Sequence, residues 1–118
     1  MRTFLFFVSM MMLFAACGPN KEEQAKMIEE GEALVAASDC KTCHHPTNRI
    51  IGPAHLDVAK KYETTDANVE MLAQRIINGG SGVWGEQPMN AHTDLSKEDA
   101  EKMARYVLSL DETNSTTN

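Results

Sequence analysis

The sequence predicts an all-α fold with three main helices and one shorter helix. Apolar residues recur at helical spacing in three stretches, whereas no stretch alternates between apolar and polar residues for long enough to form a strand. The 118 residues have room for one small domain. After residue 16, only roughly 36% of the residues are hydrophobic. Because that is little for a self-supporting core, we expect a cross-link, a metal or a cofactor to stabilise the fold.

The first predicted helix runs roughly over Glu22–Ala37, where the apolar residues fall on one face. Gly31 lies in the middle of that face, although glycine lowers the helix propensity by about 1 kcal/mol relative to alanine. Since glycine leaves room for a neighbouring backbone, we expect another helix to approach closely at Gly31. The face that carries Tyr106 and Val107 is the candidate.

Three further helical segments follow along the chain. A short helix over Ala54–Lys61 is predicted after the Gly52–Pro53 turn. The second main helix has Asp66 as its expected N-cap and ends at Asn78–Gly80, since glycines terminate helices. The third main helix is predicted over Ser96–Leu110, and it opens in the manner of a capping box.

Residues 1–16 differ from the rest of the chain. They contain all four phenylalanines, four of the eight methionines and a single charge, Arg2. Their apolar run of about 11 residues is too short to cross a bilayer, which takes about 20. A charged start, a short apolar run and small residues at its end predict a signal peptide over residues 1–16 that is removed on export.

The segment Leu13–Cys17 resembles the lipobox of bacterial lipoproteins, in which small residues precede a cysteine that is lipidated. The resemblance implies that Cys17 becomes a lipid-anchored N-terminus; the alternative is an ordinary signal peptide followed by an incidental cysteine. We expect the protein to be anchored on the outer side of a bacterial membrane, which is periplasmic in a cell with two membranes. The predicted organisation is a tether over 17–21, a domain over 22–112 and a polar tail over 113–118.

The chain after residue 16 is acidic. It carries 10 lysines and arginines against 17 aspartates and glutamates, a side-chain charge of −7. With no basic patch to neutralise phosphates, we expect no nucleic-acid partner. The negative charge suits solubility or docking to a basic protein surface.

The segment Cys40-Lys41-Thr42-Cys43-His44 carries the chemistry of the chain. Two thiols three positions apart, followed at once by an imidazole, have the spacing for covalent haem attachment. One helical turn presents both sulfurs to the two vinyl groups on one side of a porphyrin, and the next residue places its imidazole under the iron. Cys40 and Cys43 are therefore the predicted attachment residues, and His44 is the predicted proximal ligand.

Three other interpretations of this segment are possible. A redox-active dithiol needs a βαβ setting, which the sequence does not predict. A zinc site needs further ligands, for which His45 and His55 are available, although we expect both to be ordinary exposed histidines. A disulfide between Cys40 and Cys43 would close only a very small loop and add little stability.

A second iron ligand is expected from the glycine-rich loop Asn78–Met89. Its glycines let the backbone pass close to a flat cofactor, and Pro88 stiffens the chain just before the methionine. Met89 belongs to no helical face and is the predicted ligand, with His92 as the rival. The other methionines of this part of the chain are predicted to fill the core: Met27, Met71 and Met103.

The order of these motifs resembles the class I c-type cytochromes, of the small bacterial monohaem kind, across almost all of residues 22–111. The resemblance is carried by five segments: Ile51–Ala54, Asp57–Tyr62, Leu72–Ile76, Val83–Gly85 and Pro88–Met89. It implies that the Pro53 carbonyl accepts a hydrogen bond from His44, and that Arg75 and Trp84 bond a haem propionate. Where the family often has prolines and an asparagine after the methionine, this chain has Asn90–His92, so His92 is a candidate for orienting the sulfur.

The expected function is that of a monomeric single-electron carrier with one covalent haem c, held by His44 and Met89, that shuttles between membrane redox proteins. No catalytic base, nucleophile or substrate pocket stands out in the sequence, so we do not expect an enzyme. The first alternative is a haem-based gas or redox sensor in which Met89 is displaced by an external ligand. The second is a zinc or dithiol module without haem.

Overall fold

The computed structural model describes residues 18–113. The predicted signal peptide, Cys17 and most of the polar tail lie outside these residues. The helices are α1 (Lys21–Ala37), α2 (His55–Lys61), α3 (Asp66–Asn78) and α4 (Lys97–Ser109), with a 3₁₀ turn over Asp39–Thr42. The described part of the chain has no β-strand, only an isolated antiparallel bridge between Gly80 and Met89. None of its helices is long and apolar enough to cross a membrane.

The start of α1 lies one residue before the predicted start, inside the segment that we expected to be tether. Asn20 caps the helix: its side chain accepts a hydrogen bond from the Glu23 backbone at 2.9 Å, and the Glu23 carboxylate accepts one from the Asn20 backbone at 3.0 Å. This reciprocal pair is a capping box, whose spacing is visible in the sequence. The tether between Cys17 and the helix is correspondingly shorter.

The prediction of Asp66 as the N-cap of α3 is wrong. Thr65 is the cap, because its hydroxyl accepts the hydrogen bond from the Asn68 backbone at 3.1 Å. Asp66 is the first helical residue, and its carboxylate accepts a hydrogen bond from Arg105 of α4 at 2.9 Å. At α4 the predicted cap is confirmed, since the Ser96 hydroxyl accepts from the Asp99 backbone at 3.1 Å.

Helix α4 is the element against which α1, α2 and α3 all pack. Its buried face carries residues at helical spacing, so one stripe faces the other three helices. Val69 of α3 is buried against Ala104 and Leu108 of α4, with further apolar side chains around them. Those partly buried neighbours are Tyr62, Leu72 and Ile76.

The close approach predicted at Gly31 is present between α1 and α4. A Cβ atom at Gly31 would overlap the backbone carbonyl oxygen of Lys102 and lie 3.0 Å from Cβ of Tyr106. The Lys102 ammonium also bonds the carboxylates of Glu30 at 2.8 Å and Glu98 at 3.1 Å. Glycine is required at this crossing because the neighbouring atoms are backbone atoms, which cannot turn aside as a flexible side chain would.

We predict that Gly31→Ala destabilises the protein. Alanine gains about 1 kcal/mol of helix propensity over glycine. Overpacking costs about 1–3 kcal/mol, and we expect the upper end of this range because the overlap is with backbone atoms of α4. After the gain in helix propensity is subtracted, the free energy of unfolding should fall by about 1–2 kcal/mol. Urea unfolding of the holoprotein measures this. Gly18→Ala, where an added Cβ meets no atom within 4 Å, is the matched control, and equal stabilities of the two variants would contradict the prediction.

Candidate cofactor-binding site

A cavity of about 320 Å³ lies among the four helices and the loop after α3. Val35 of α1, His55 of α2, Ile76 of α3 and Met103 of α4 all contribute to its wall. The cavity is also lined by every residue that the sequence analysis placed at a cofactor: Cys40, Cys43, His44, Pro53, Arg75, Trp84 and Met89. The fold thus brings together side chains that are up to about half the chain apart.

The two cysteines sit on the tight turn that follows α1. The backbone N–H groups of Cys43 and His44 both donate to the carbonyl oxygen of Cys40, at 3.1 and 2.8 Å. The first bond has the i→i+3 spacing of the 3₁₀ turn over Asp39–Thr42, and the second has the i→i+4 spacing of an α-turn, so both fix His44 directly after the cysteines. Both thiols are half-buried and reach the same cavity.

The environment of Cys40 does not suit a redox-active dithiol. Burial raises the pKa of the Cys40 thiol, and the neighbouring Asp39 carboxylate raises it further. A reactive cysteine needs the opposite, a lowered pKa that makes the thiolate available. No disulfide joins Cys40 to Cys43. Residues 18–113 also contain no cluster of three or more potential ligands placed to hold a metal ion, whereas zinc needs four.

His44 is held by the turn that precedes α2. Its Nδ1 lies 2.7 Å from the carbonyl oxygen of Pro53, the bond that the resemblance implies. Because a carbonyl oxygen only accepts, Nδ1 carries the proton and Nε2 keeps its lone pair. That is the tautomer an iron ligand requires, and the bond to the carbonyl also fixes the orientation of the ring.

Gly52 allows this approach. Its backbone N–H donates to the carbonyl oxygen of Cys43 at 2.7 Å, which draws the Gly52–Pro53 segment against the attachment turn. A Cβ at Gly52 would lie only 2.6 Å from Cε1 of His44. A larger residue would therefore push the imidazole away from its position above the cavity.

The expectation that His55 is an ordinary exposed histidine is wrong. The side chain is 9% exposed, and its ring stacks on that of His44 with centroids 5.0 Å apart. Burial lowers the pKa of His55 to about 4, and the neighbouring His44 adds to the shift. The signal was available in the sequence, since His55, Val58 and Ala59 share one face of α2. His45 is exposed, as predicted.

The loop that carries Met89 is closed at its base. The backbone of Gly80 donates to the carbonyl of Met89 at 3.1 Å, and Met89 donates back to Gly80 at 2.8 Å. Gly79 ends α3 with φ of +69°, a conformation that L-residues rarely adopt, and a Cβ there would overlap the Met89 carbonyl oxygen. Met89 is thus fixed at a bridge beside the end of α3, with its half-buried side chain lining the cavity.

Both ring nitrogens of His92 are taken up by partners in the protein, so the structure favours neither of the roles considered for it. Nε2 lies 2.7 Å from the Asp39 carboxylate, and Nδ1 lies 3.2 Å from the carbonyl oxygen of Ile76. The carboxylate of Asp39, followed by the Ile76 carbonyl, raises the pKa of His92 against the opposing effect of burial. No nitrogen is left to bind iron or to donate to the sulfur of Met89.

Arg75 and Trp84 are half-buried and line the cavity, and their bonding to a propionate stays a prediction. Arg49, which the sequence analysis did not single out, donates a hydrogen bond to the carbonyl oxygen of Trp84. The Lys61 ammonium lies 5.7 Å from the centroid of the Trp84 ring. These contacts join the segment before α2 and the last residue of α2 to the loop after α3, and only the folded chain shows them.

Two of the methionines assigned to the core also line the cavity. Met103 is buried at 1% exposure, as predicted. Met71 is 36% exposed, so its assignment to the core is wrong, because its side of α3 borders the cavity rather than α4. Met27 is half-buried on α1 and does not reach the cavity.

The residues present fit a haem c. The wall of the cavity is mostly apolar, which suits a porphyrin face. Two half-buried thiols on one turn can carry the thioether bonds, and His44 offers a lone pair whose direction is fixed by the bond to Pro53. The same cavity contains a methionine on a fixed loop.

Known proteins agree with this fit. The family model for cytochrome c matches residues 28–111. Cytochrome c-551 of Stutzerimonas stutzeri is 37% identical over 95 residues, which cover 80% of this chain and 90% of that protein. Cytochrome c-552 of Nitrosomonas europaea is 38% identical over 77 residues, which cover 65% of this chain and 75% of that protein.

A solved structure shows the same architecture. The crystal structure of wild-type Nitrosomonas europaea cytochrome c552 matches with a TM-score of 0.63 at 36% identity, covering 68% of this chain and 99% of that chain. The predicted all-α fold of the small cytochrome c type is thus confirmed. The residues that match the family model include those that line the cavity. The chain belongs to the cytochrome c family, whose cofactor is one covalently attached haem c.

Proposed function

We propose that the protein is a single-electron carrier in which His44 and Met89 are the two iron ligands and Cys40 and Cys43 hold the haem. Haem c supplies the one-electron couple. The observation that carries the proposal is the pair of fixed donors on one cavity: His44, oriented by Pro53, and Met89, held at the bridge with Gly80. Donors that do not move between oxidation states suit a carrier rather than an enzyme.

Met89 is preferred as the iron ligand over the other methionines at the cavity because it lies on a loop rather than on a helix. Met71 and Met103 are helical residues, and the packing of α3 and α4 sets their positions. Met89 stands on a loop whose backbone is positioned by hydrogen bonds of its own. Methionine ligation in a buried site raises the reduction potential, so we expect a carrier of high potential.

We further propose that the carrier is exported and attached to a membrane surface by lipid at Cys17. The support is the sequence of residues 1–17 together with the short link between Cys17 and α1, whose capping box begins at Asn20. A link of this length keeps the domain close to the lipid. The donor and acceptor would then be membrane redox proteins that share the same surface.

The surface charge suits a basic partner. Helix α1 has exposed carboxylates along its length: Glu22, Glu23, Glu29 and Glu32. Together with a side-chain charge of −7 beyond residue 16, they favour encounter with positive protein surfaces and disfavour nucleic acid. We propose that the protein acts as a monomer.

We predict that ferric wild-type protein is low-spin and shows the weak far-red sulfur-to-iron charge-transfer band. Met89→Ala should abolish the band, and carbon monoxide should then bind the reduced protein readily, because the site is open. Met71→Ala is the matched control, and it should keep the band, as should His92→Ala. Rapid uptake of carbon monoxide by the wild type would favour a sensor, and a band that survives Met89→Ala would overturn the ligand assignment.

We predict that Cys17→Ser moves the protein out of the membrane fraction or leaves an unprocessed precursor. The substitution removes the thiol to which a lipid would be attached and leaves the cavity untouched. Mass spectrometry of the purified protein provides the second measurement. A mature N-terminus elsewhere, without diacylglycerol, would contradict the anchor and leave the electron-carrier proposal standing.

We predict that electron transfer to a basic partner slows as salt is added. Raising the ionic strength from 0.01 to 0.1 M shortens the Debye length from about 30 to about 10 Å, which weakens attraction between opposite charges. Stopped-flow oxidation of the reduced protein by its partner measures the effect. A rate that does not respond to salt would point to apolar docking instead.

A further inference from the structure

The segments that bear the two proposed iron ligands meet at a side-chain contact on the wall of the cavity. Asp39 directly precedes Cys40, and His92 follows Met89 by three residues. The two side chains are joined by a bond of 2.7 Å between His92 Nε2 and Asp39 Oδ1, across 53 positions of the chain. His92 is mostly buried, with 18% of its side chain exposed, whereas 69% of the Asp39 side chain is exposed.

His92 is anchored to the end of α3 as well. Its backbone N–H donates to the carbonyl oxygens of Ile76 and Ile77, at 3.2 and 3.0 Å, and its Nδ1 lies 3.2 Å from the Ile76 oxygen. A carbonyl and a carboxylate both only accept hydrogen bonds. Both ring nitrogens must therefore carry protons for both contacts to be hydrogen bonds, so the arrangement suits the charged form of His92.

We propose that Asp39 and His92 form a clasp that positions the Met89 loop against the attachment turn, and so controls how easily an external ligand displaces Met89. The effect of the clasp on the iron rests on the proposed assignment of Met89 as a ligand. Its effect on the position of the loop does not rest on that assignment, because His92 lies just beyond the Gly80–Met89 bridge and its bonds fix the end of the loop that leaves Met89.

The pH range over which the clasp is formed follows from the pKa values of His92 and Asp39. The pKa of His92 is raised from its ordinary value of 6.5 by the hydrogen bond to Asp39, so the charged contact is complete below 6.5 and is lost as the pH rises through the raised value. The pKa of Asp39 is lowered from 3.8 by His92, so the contact is also lost in acid below 3.8. Asp94 also faces His92, and its charge acts in the same direction as that of Asp39.

Asp94 provides a matched control. Like Asp39 it is exposed, lies in the groove beside His92 and raises the pKa of His92 by its charge, but the His92 bond goes to Asp39. Asp39→Ala and Asp94→Ala therefore remove the same charge from the same groove, and only the first removes the clasp. His92→Ala removes it from the other side.

The test compares these variants of the holoprotein by two measurements. The first is the stopped-flow rate at which imidazole binds the ferric protein at pH 6, which Asp39→Ala and His92→Ala should each raise by about fivefold, the size that a solvent-exposed ion pair allows. The double variant should match the single ones, and Asp94→Ala should match the wild type. The second is hydrogen exchange at the backbone N–H of Met89, which should accelerate in the same variants.

Raising the pH from 6 to 9 should lower the protection of the Met89 N–H, taken relative to the intrinsic exchange rate at each pH, and should raise the rate constant for neutral imidazole. Both changes should occur in the wild type and not in Asp39→Ala. Equal behaviour of Asp39→Ala and Asp94→Ala in both measurements would overturn the clasp, since charge alone would then account for the effect. If Met89→Ala keeps the sulfur band, the ligand assignment fails, and the exchange at Met89 still decides whether the clasp holds the loop. A clasp variant that accelerates imidazole binding without changing exchange would also contradict the proposal.

Discussion

The hydrogen bond between Nδ1 of His44 and the carbonyl oxygen of Pro53 is the contact on which the rest of the site depends. It selects the ring tautomer that leaves Nε2 free, and it joins the attachment turn to the start of α2. Gly52 must be a glycine for the two segments to come this close. With the turn in place, the backbone of His55 donates to the carbonyl of His45 at 3.1 Å, which fixes the first turn of α2 beside the cavity.

The four helices supply the buried apolar surface that the short attachment turn lacks. Only a few large side chains are fully buried in the described part of the chain, among them Met103 and Leu108 of α4 and Val69 of α3. A core of this size is small, and the cavity occupies the space beside it that further apolar side chains would fill. A porphyrin bound in the cavity would supply the apolar surface that this core lacks, which accounts for a stable fold of four helices in a domain poor in apolar residues.

The sequence predicts those features that depend on neighbours along the chain. Helical periodicity places α1 and α4 within a residue of their bounds, and the spacing of Cys40, Cys43 and His44 indicates the cofactor. Contacts between distant segments carry no such local signal, and the contacts of Arg49 with Trp84 and of Asp39 with His92 both belong to this class. The cap of α3 was misplaced for a different reason, because Thr65 and Asp66 are both good N-caps and only the helix geometry selects between them.

The two histidines beside the ligand-bearing segments show how position decides chemistry. His55 is enclosed by apolar atoms and by the His44 ring, so burial dominates and holds its pKa near 4. His92 is also largely enclosed, but a carboxylate and a carbonyl oxygen accept from its ring, and hydrogen bonding dominates instead. At neutral pH, a neutral ring therefore packs against the proximal ligand, where a charge would oppose ferric iron. The ring that favours a proton lies beside Asp39, where its charge joins two segments of the chain.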